Sequence, residues 1–228
     1  MKFAVDLHMH SALSPCGDND MTPNNIVHMA ILKGLDMIAV TDHNTCGNLR
    51  AVSDAGRAAG IMVIPGLEVQ TKEEVHILCY FKKLESALTF GEMVYAHLPD
   101  IPNRENLFGE QLLLDAEDHI LGKERRMLLS STDLSIDQVF AYAKKYEGMA
   151  VPAHVDRQSY SIVGSLGFIP SHLGIKTVEV AGKNISDYSE FQCIHSSDAH
   201  YLWDISERDF FIEIEEMTMT NLFQWIDN

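Results

Sequence analysis

His8 and His10 stand two positions apart in FAVDLHMH, so on an extended backbone both imidazoles project from one face and can grip a single metal ion. Alone the pair says little. With 11 histidines in 228 residues, chance spacing yields such a pair in about half of comparable chains.

The pair gains weight from its company. Titratable residues follow one apolar run after another: His43 after IAVT, Glu68 after MVIPGL, His154 after MAVPA, and Asp198 with His200 after QCIHSS. Asp198 and His200 repeat the two-residue spacing of the opening pair. Imidazole and carboxylate donors gathered at one point suit zinc, manganese or iron. His76 breaks the pattern, because it falls early in EVHILCYF; it joins the others if its strand runs antiparallel or starts inside the mouth of the site. His28, His97, His119, His172 and His195 lack the strand-end setting and are read as ordinary histidines.

The runs that must position these residues alternate with helical patterns. FAVDLH, DMIAV and IMVIPGL are separated by helices over about residues 23–34 and 48–60, with Thr22 able to cap the first and Pro23 suited to its first turn. EVHILCYF precedes a helix over about 84–98. A capped helix over about 135–146 leads to MAVPAH, KTVEVA, QCIHSSD, DFFIEI and a closing helix from about Thr218. About seven core strands alternating with helices predict an α/β fold of the (β/α) barrel kind, incomplete or distorted, whose strand carboxyl ends open on one face. Residues 100–134 are read as an insertion. Within it, QLLLDAEDHILG fits either a hairpin turning at Ala116 to Asp118 or an amphipathic helix. A single domain over residues 1–228 is expected.

Composition narrows the partners. The net charge of -16, from 17 basic and 33 acidic residues, repels a phosphate backbone at long range. The densest basic stretch, Lys123, Arg125 and Arg126, alternates with Glu124 and reads as a solvated surface, so no extended nucleic-acid surface is expected. The opening residues lack a secretory apolar core, and no run reaches the roughly 18 apolar residues of a membrane span, so a cytoplasmic setting is expected. Cys16, Cys46, Cys79 and Cys193 form no CxxC pair and are read as reduced, ordinary thiols, Cys16 and Cys46 included although both lie near the motifs.

Taken in order, DLHMHS, TDHN, PGLEV, EVHIL, PAHVDR and SSDAH resemble the polymerase and histidinol phosphatase (PHP) family, from Asp6 to about Tyr201. The resemblance implies a distorted seven-stranded, TIM-barrel-like (β/α) barrel with up to three divalent ions (zinc, manganese or iron) on nine ligands. His8, His10, Glu68 and Asp198 would surround one ion; Glu68, bridging, with His76 and His154 would hold the second; Asp18, His43 and His200 would take the third. The loop SPCGDNDMTP departs from the commoner SDG form, which leaves Asp20 in competition with Asp18.

The implied activity is hydrolysis of a phosphate ester by a metal-bound hydroxide attacking phosphorus in line, with Glu68 and Arg157 in catalytic roles. Arg157 would offset charge on the phosphate oxygens, and Lys183 is a weaker candidate for that task. Asp42 either orients a neighbouring ligand through a hydrogen bond or caps the following helix. An acidic exterior around a cationic site favours a small phosphorylated substrate: a nucleotide, a sugar phosphate or a compound like histidinol phosphate. The rival readings are a nuclease acting on oligonucleotide ends and a metal-bearing regulatory domain without turnover.

Overall fold

A computed structural model describes residues 1–182 and 185–228; Lys183, a candidate for substrate contact, lies outside the described residues. The strands are β1 (Lys2–Met9), β2 (Met37–Val40), β3 (Met62–Val63), β4 (Gly66–Gln70), β5 (His76–Phe81), β6 (Leu112–Leu114), β7 (Ile120–Lys123), β8 (Gly148–Pro152), β9 (Thr177–Glu179), β10 (Gln192–Ile194) and β11 (Phe211–Glu213). The helices are α1 (Pro23–Leu32), α2 (Leu49–Ala59), α3 (Leu84–Ala96), α4 (Glu105–Phe108), α5 (Ile136–Lys145), α6 (Ile162–Leu166) and α7 (Met219–Ile226).

Local chemistry accounts for most boundaries. Thr22 caps α1 by accepting the Asn25 N–H, Thr218 caps α7 through Asn221, and Ser135 with Gln138 forms a reciprocal capping box on α5; each such cap is worth about 1 kcal/mol. Pro65 divides the expected run IMVIPGL into β3 and β4, because a proline has no N–H for the ladder. Asn48 precedes α2 without a side-chain cap. Its amide is used elsewhere, donating to Leu112 O and Ser11 Oγ and accepting the Leu114 N–H, and so it ties the inserted segment to the ligand-bearing loops.

The inserted segment is a hairpin. β6 and β7 pair antiparallel, and Asp115 closes the turn by accepting the N–H groups of Glu117 and His119.

The remaining strands form a mixed α/β arrangement of three sheets, ordered β11-β1-β2-β3, β4-β5-β8 and β9-β10. The ladder of a single closed barrel is not formed among the described residues. Sheet is joined to sheet by isolated links: His43 bridges Glu68, Met9 bridges Ala199, and the Val155 N–H reaches Glu179 O at 2.9 Å. Two breaks fall where the chain leaves β conformation to turn a side chain inward, at His154 (φ 30°) and Asp198 (φ 51°). Left-handed backbone of this kind interrupts strand pairing.

β5 runs antiparallel to both β4 and β8, pairing Gln70 with His76 and Ile77 with Pro152. The start of β5 therefore lies beside the ends of its neighbours, which explains how an early-strand His76 reaches the strand-end residues. No helix among the described residues is long and apolar enough to cross a membrane.

Candidate metal centre

β1 supplies His8 directly, with His10 just past its end; β4 supplies Glu68, the start of β5 His76, and the loops after β2, β8 and β10 supply His43, His154, Asp198 and His200. His8, His10 and Glu68 are fully buried, and His43, His76 and His154 nearly so.

Their donor atoms converge. His8 Nε2 lies 3.2 Å from Asp198 Oδ1, 3.2 Å from His10 Nε2 and 3.3 Å from Glu68 Oε1; His10 Nε2 lies 3.2 Å from Asp198 Oδ1 and 3.5 Å from Glu68 Oε2. Glu68 continues the cluster: Oε1 stands 2.9 Å from His76 Nδ1 and 3.4 Å from His154 Nε2, and Oε2 stands 2.9 Å from His43 Nδ1. Bonds of about 2.0–2.1 Å in tetrahedral geometry separate donor atoms by roughly 3.3 Å, so these spacings are those of ligands around shared ions.

The decisive feature is what Glu68 lacks. Both its oxygens are buried and neither receives a hydrogen bond, although imidazole nitrogens crowd them; His43 Nδ1 and His154 Nδ1 are likewise buried without a hydrogen-bond partner. A buried carboxylate with no donor is costly, and lone pairs directed at a common point are relieved by a cation there. The residues present therefore fit divalent ions.

The surrounding groups set the ring orientations. Glu179 accepts the Nδ1 proton of His8 on both oxygens at 3.0 Å, leaving the Nε2 lone pair facing the cluster. His10 Nδ1 donates to Ser14 Oγ at 3.0 Å, and Ser14 in turn donates to Asp42 at 2.7 Å. Asp42 also accepts from the Ser11 N–H and hydroxyl, six residues short of Asn48, so of its two expected roles it takes support of a ligand.

Charge follows from this packing. Burial opposes ionisation of Glu68, but His76, His8 and His43 outweigh it and hold the carboxyl well below its ordinary range. Burial likewise opposes charge on His8, yet Glu179, Asp198 and Glu68 hold it well above the usual imidazole value. His10 is pushed well below that value by burial and by His43 and His200.

The profile of the PHP domain matches residues 6–215. The chain belongs to the PHP domain family. Among individual relatives, a 5'-3' exoribonuclease of Haemophilus influenzae is 34% identical over 76 residues, 32% of this chain and 27% of that protein. A phosphoribosyl 1,2-cyclic phosphate 1,2-diphosphodiesterase of Eggerthella lenta is 33% identical over 78 residues, 32% of this chain and 29% of that protein. The aligned stretches thus span under a third of either relative. In structure, a lesion-specific endonuclease from Pyrococcus furiosus superimposes with a TM-score of 0.70 at 20% identity, covering 100% of this chain and 56% of that one, a likeness of fold.

Eight of the nine PHP ligand positions expected here lie in the cluster; Asp18 does not. Its Oδ1 accepts the Asp20 N–H at 2.8 Å, and its own N–H reaches His200 O. The side chain beside His43 and His200 is Cys16, expected to be an ordinary thiol. Burial opposes its ionisation, but hydrogen bonds and charge from those two histidines bring it down to about 7. Glu179 was the other unexpected participant.

Arg157 stands at the mouth, 44% exposed, with Nη1 2.5 Å from Asp198 Oδ2. With the ligand residues it lines a cavity of about 480 Å³. A larger groove of about 1010 Å³, carrying Lys82 and Lys176, shares none of them.

Proposed function

We propose that this chain is a metal-dependent phosphoesterase acting on a small phosphorylated substrate. The observation that carries the reading is the buried, hydrogen-bond-free carboxylate of Glu68 amid imidazoles at the floor of a cavity of about 480 Å³. Cavities of about 300–1,000 Å³ accommodate metabolite-sized ligands. In this reading residues 1–228 act as one PHP domain, its strands approximate a distorted seven-stranded barrel, and the four free cysteines suit a reducing, cytoplasmic setting.

Up to three divalent ions, zinc, manganese or iron, would supply Lewis acidity and ionise water near neutral pH when bound. His8, His10, Glu68 and Asp198 would hold one; Glu68 with His76 and His154 would hold another. Glu68 is the shared carboxylate in this scheme, and Arg157, paired with Asp198, would leave it to offset charge on a substrate phosphate. Burial of the histidines excludes bulk water from all but the cavity side.

A second reading is cleavage at oligonucleotide ends. It is favoured by Tyr201 and Trp203, which stack at 4.8 Å beside His200 with Trp203 70% exposed, a platform on which a base could lie. Relatives named as exoribonucleases and the fold shared with an endonuclease point the same way, against the expectation of no extended nucleic-acid surface.

Hydrolysis of nucleoside monophosphates, sugar phosphates, histidinol phosphate and a short oligonucleotide, compared with manganese present, tests the proposal. Turnover of a small monoester or diester supports it. Cleavage of the oligonucleotide alone moves the assignment to the second reading.

A further inference from the structure

We propose that the Cys16 thiolate, rather than the Asp18 carboxylate, joins His43 and His200 as a ligand of the third ion. The inference rests on the metal-centre reading above and assigns a ligand within it.

Three observations support it. The Cys16 side chain lines the same cavity as His43 and His200. Those histidines, with His10, present nitrogens within 4.8 Å of one another, and His43 is 4% exposed with Nδ1 lacking a hydrogen-bond partner. Such a group turned into the cluster is satisfied by a cation there.

The loop also sets which residue faces inward. Successive turns close through the Ser14 N–H to Ser11 O and the Gly17 N–H to Ser14 O, at 3.0 and 2.8 Å. A Cβ on Gly17 would stand 2.7 Å from Ser11 O, so glycine permits this tight path. Cys16, before the glycine, enters the cavity. Asp18, after it, spends an oxygen on the Asp20 N–H and is directed along the loop.

Cysteine binds metal as thiolate, so ligation forms one sulfur–metal bond and releases the thiol proton to solvent, with no change of oxidation state. A soft sulfur donor shifts this position toward zinc or iron(II) and away from manganese. The other three cysteines line no part of this cavity, so a thiolate signature from it reports Cys16.

The test is to strip the full chain of metal and reload it with cobalt(II) alone. Wild type and Asp18→Asn are expected to develop the near-ultraviolet thiolate-to-cobalt charge-transfer band. Cys16→Ser is expected to lose that band and to bind one cobalt fewer per chain. In the wild-type protein, iodoacetamide should label Cys16 only when metal is absent, a readout that does not depend on a variant folding. Cobalt uptake without the band, a band that survives Cys16→Ser, or loss of an ion in Asp18→Asn but not in Cys16→Ser would overturn Cys16 as ligand while leaving the metal centre intact. No cobalt uptake at all would overturn both.

Discussion

Glu179 grips His8 with both carboxylate oxygens, each 3.0 Å from Nδ1, and one of those oxygens also accepts the His154 N–H at 3.0 Å. One buried side chain at the end of β9 thereby positions two ligands from different strands. Glu179→Gln keeps the shape but loses the charge and one acceptor. Metal affinity is expected to fall about 10–100-fold, with the far-ultraviolet circular dichroism unchanged. Titration calorimetry on the metal-free variant measures it, and wild-type affinity would show that Glu179 has no hold on the site.

Asp6 braces the same sheet. Fully buried, it accepts the N–H groups of Ser197 and Ser206, and so pins the loop that carries Asp198 and His200 against β1. Asp6→Ala strands both donors, at about 1–3 kcal/mol for each buried unsatisfied group. Urea unfolding should register the loss, and a change under about 0.5 kcal/mol, the range of neutral surface substitutions, would contradict it.

Removing metal should destabilise the fold, because ions that bind the native cluster and not the unfolded chain stabilise it by mass action. At an ion concentration about 100 times the dissociation constant, the difference is about 2.7 kcal/mol. Thermal melts with a chelator and with added manganese or zinc give the comparison, and identical melting temperatures would refute it.

The metal-free protein should also lose stability as pH rises. Burial disfavours charged His8, but Glu179, Asp198 and Glu68 prevail and raise its folded pKa well above 6.5. A raised folded value means that the native state holds its proton more tightly than the unfolded chain. Its contribution is therefore full below about 6.5 and lost as pH climbs through the folded value. Metal requires the neutral ring, so loading at pH 7 should release protons into a weakly buffered solution. Denaturant midpoints of the metal-free protein that rise over this interval would reverse the sign and sink the argument.

Much of the site was legible because it depends on local pattern. Short apolar runs bounded by turn residues mark strands, and polar residues just past them mark strand ends, which placed His8, His10, His43, Glu68, His154, Asp198 and His200. His76 stayed open because strand direction is a tertiary property, decided by β5 pairing antiparallel on both edges. The hairpin of β6 and β7 stayed open because QLLLDAEDHILG carries apolar residues at spacings compatible with either structure.

Glu179 carries a sequence signal: a lone carboxylate inside the apolar run KTVEVA must find a partner if the strand is buried. Cys16 left none, since the direction of its sulfur depends on two turns and a close approach at Gly17 that composition does not reveal. Strand count alone pointed to an incomplete or distorted barrel without showing where its ladder stops. The ladder is interrupted where His154 and Asp198 adopt left-handed backbone, conformations that cost about 1–3 kcal/mol each and concentrate at functional sites.

The most direct test of the central claim is phosphoester turnover by one preparation before and after metal removal, with Glu68→Ala alongside. The account predicts no turnover in the stripped protein, recovery in proportion to the divalent ion restored, and no recovery in the variant. Hydrolysis that persists without metal or without the Glu68 carboxylate would contradict it, as would a fully loaded wild-type protein that cleaves none of the small phosphoesters or the oligonucleotide.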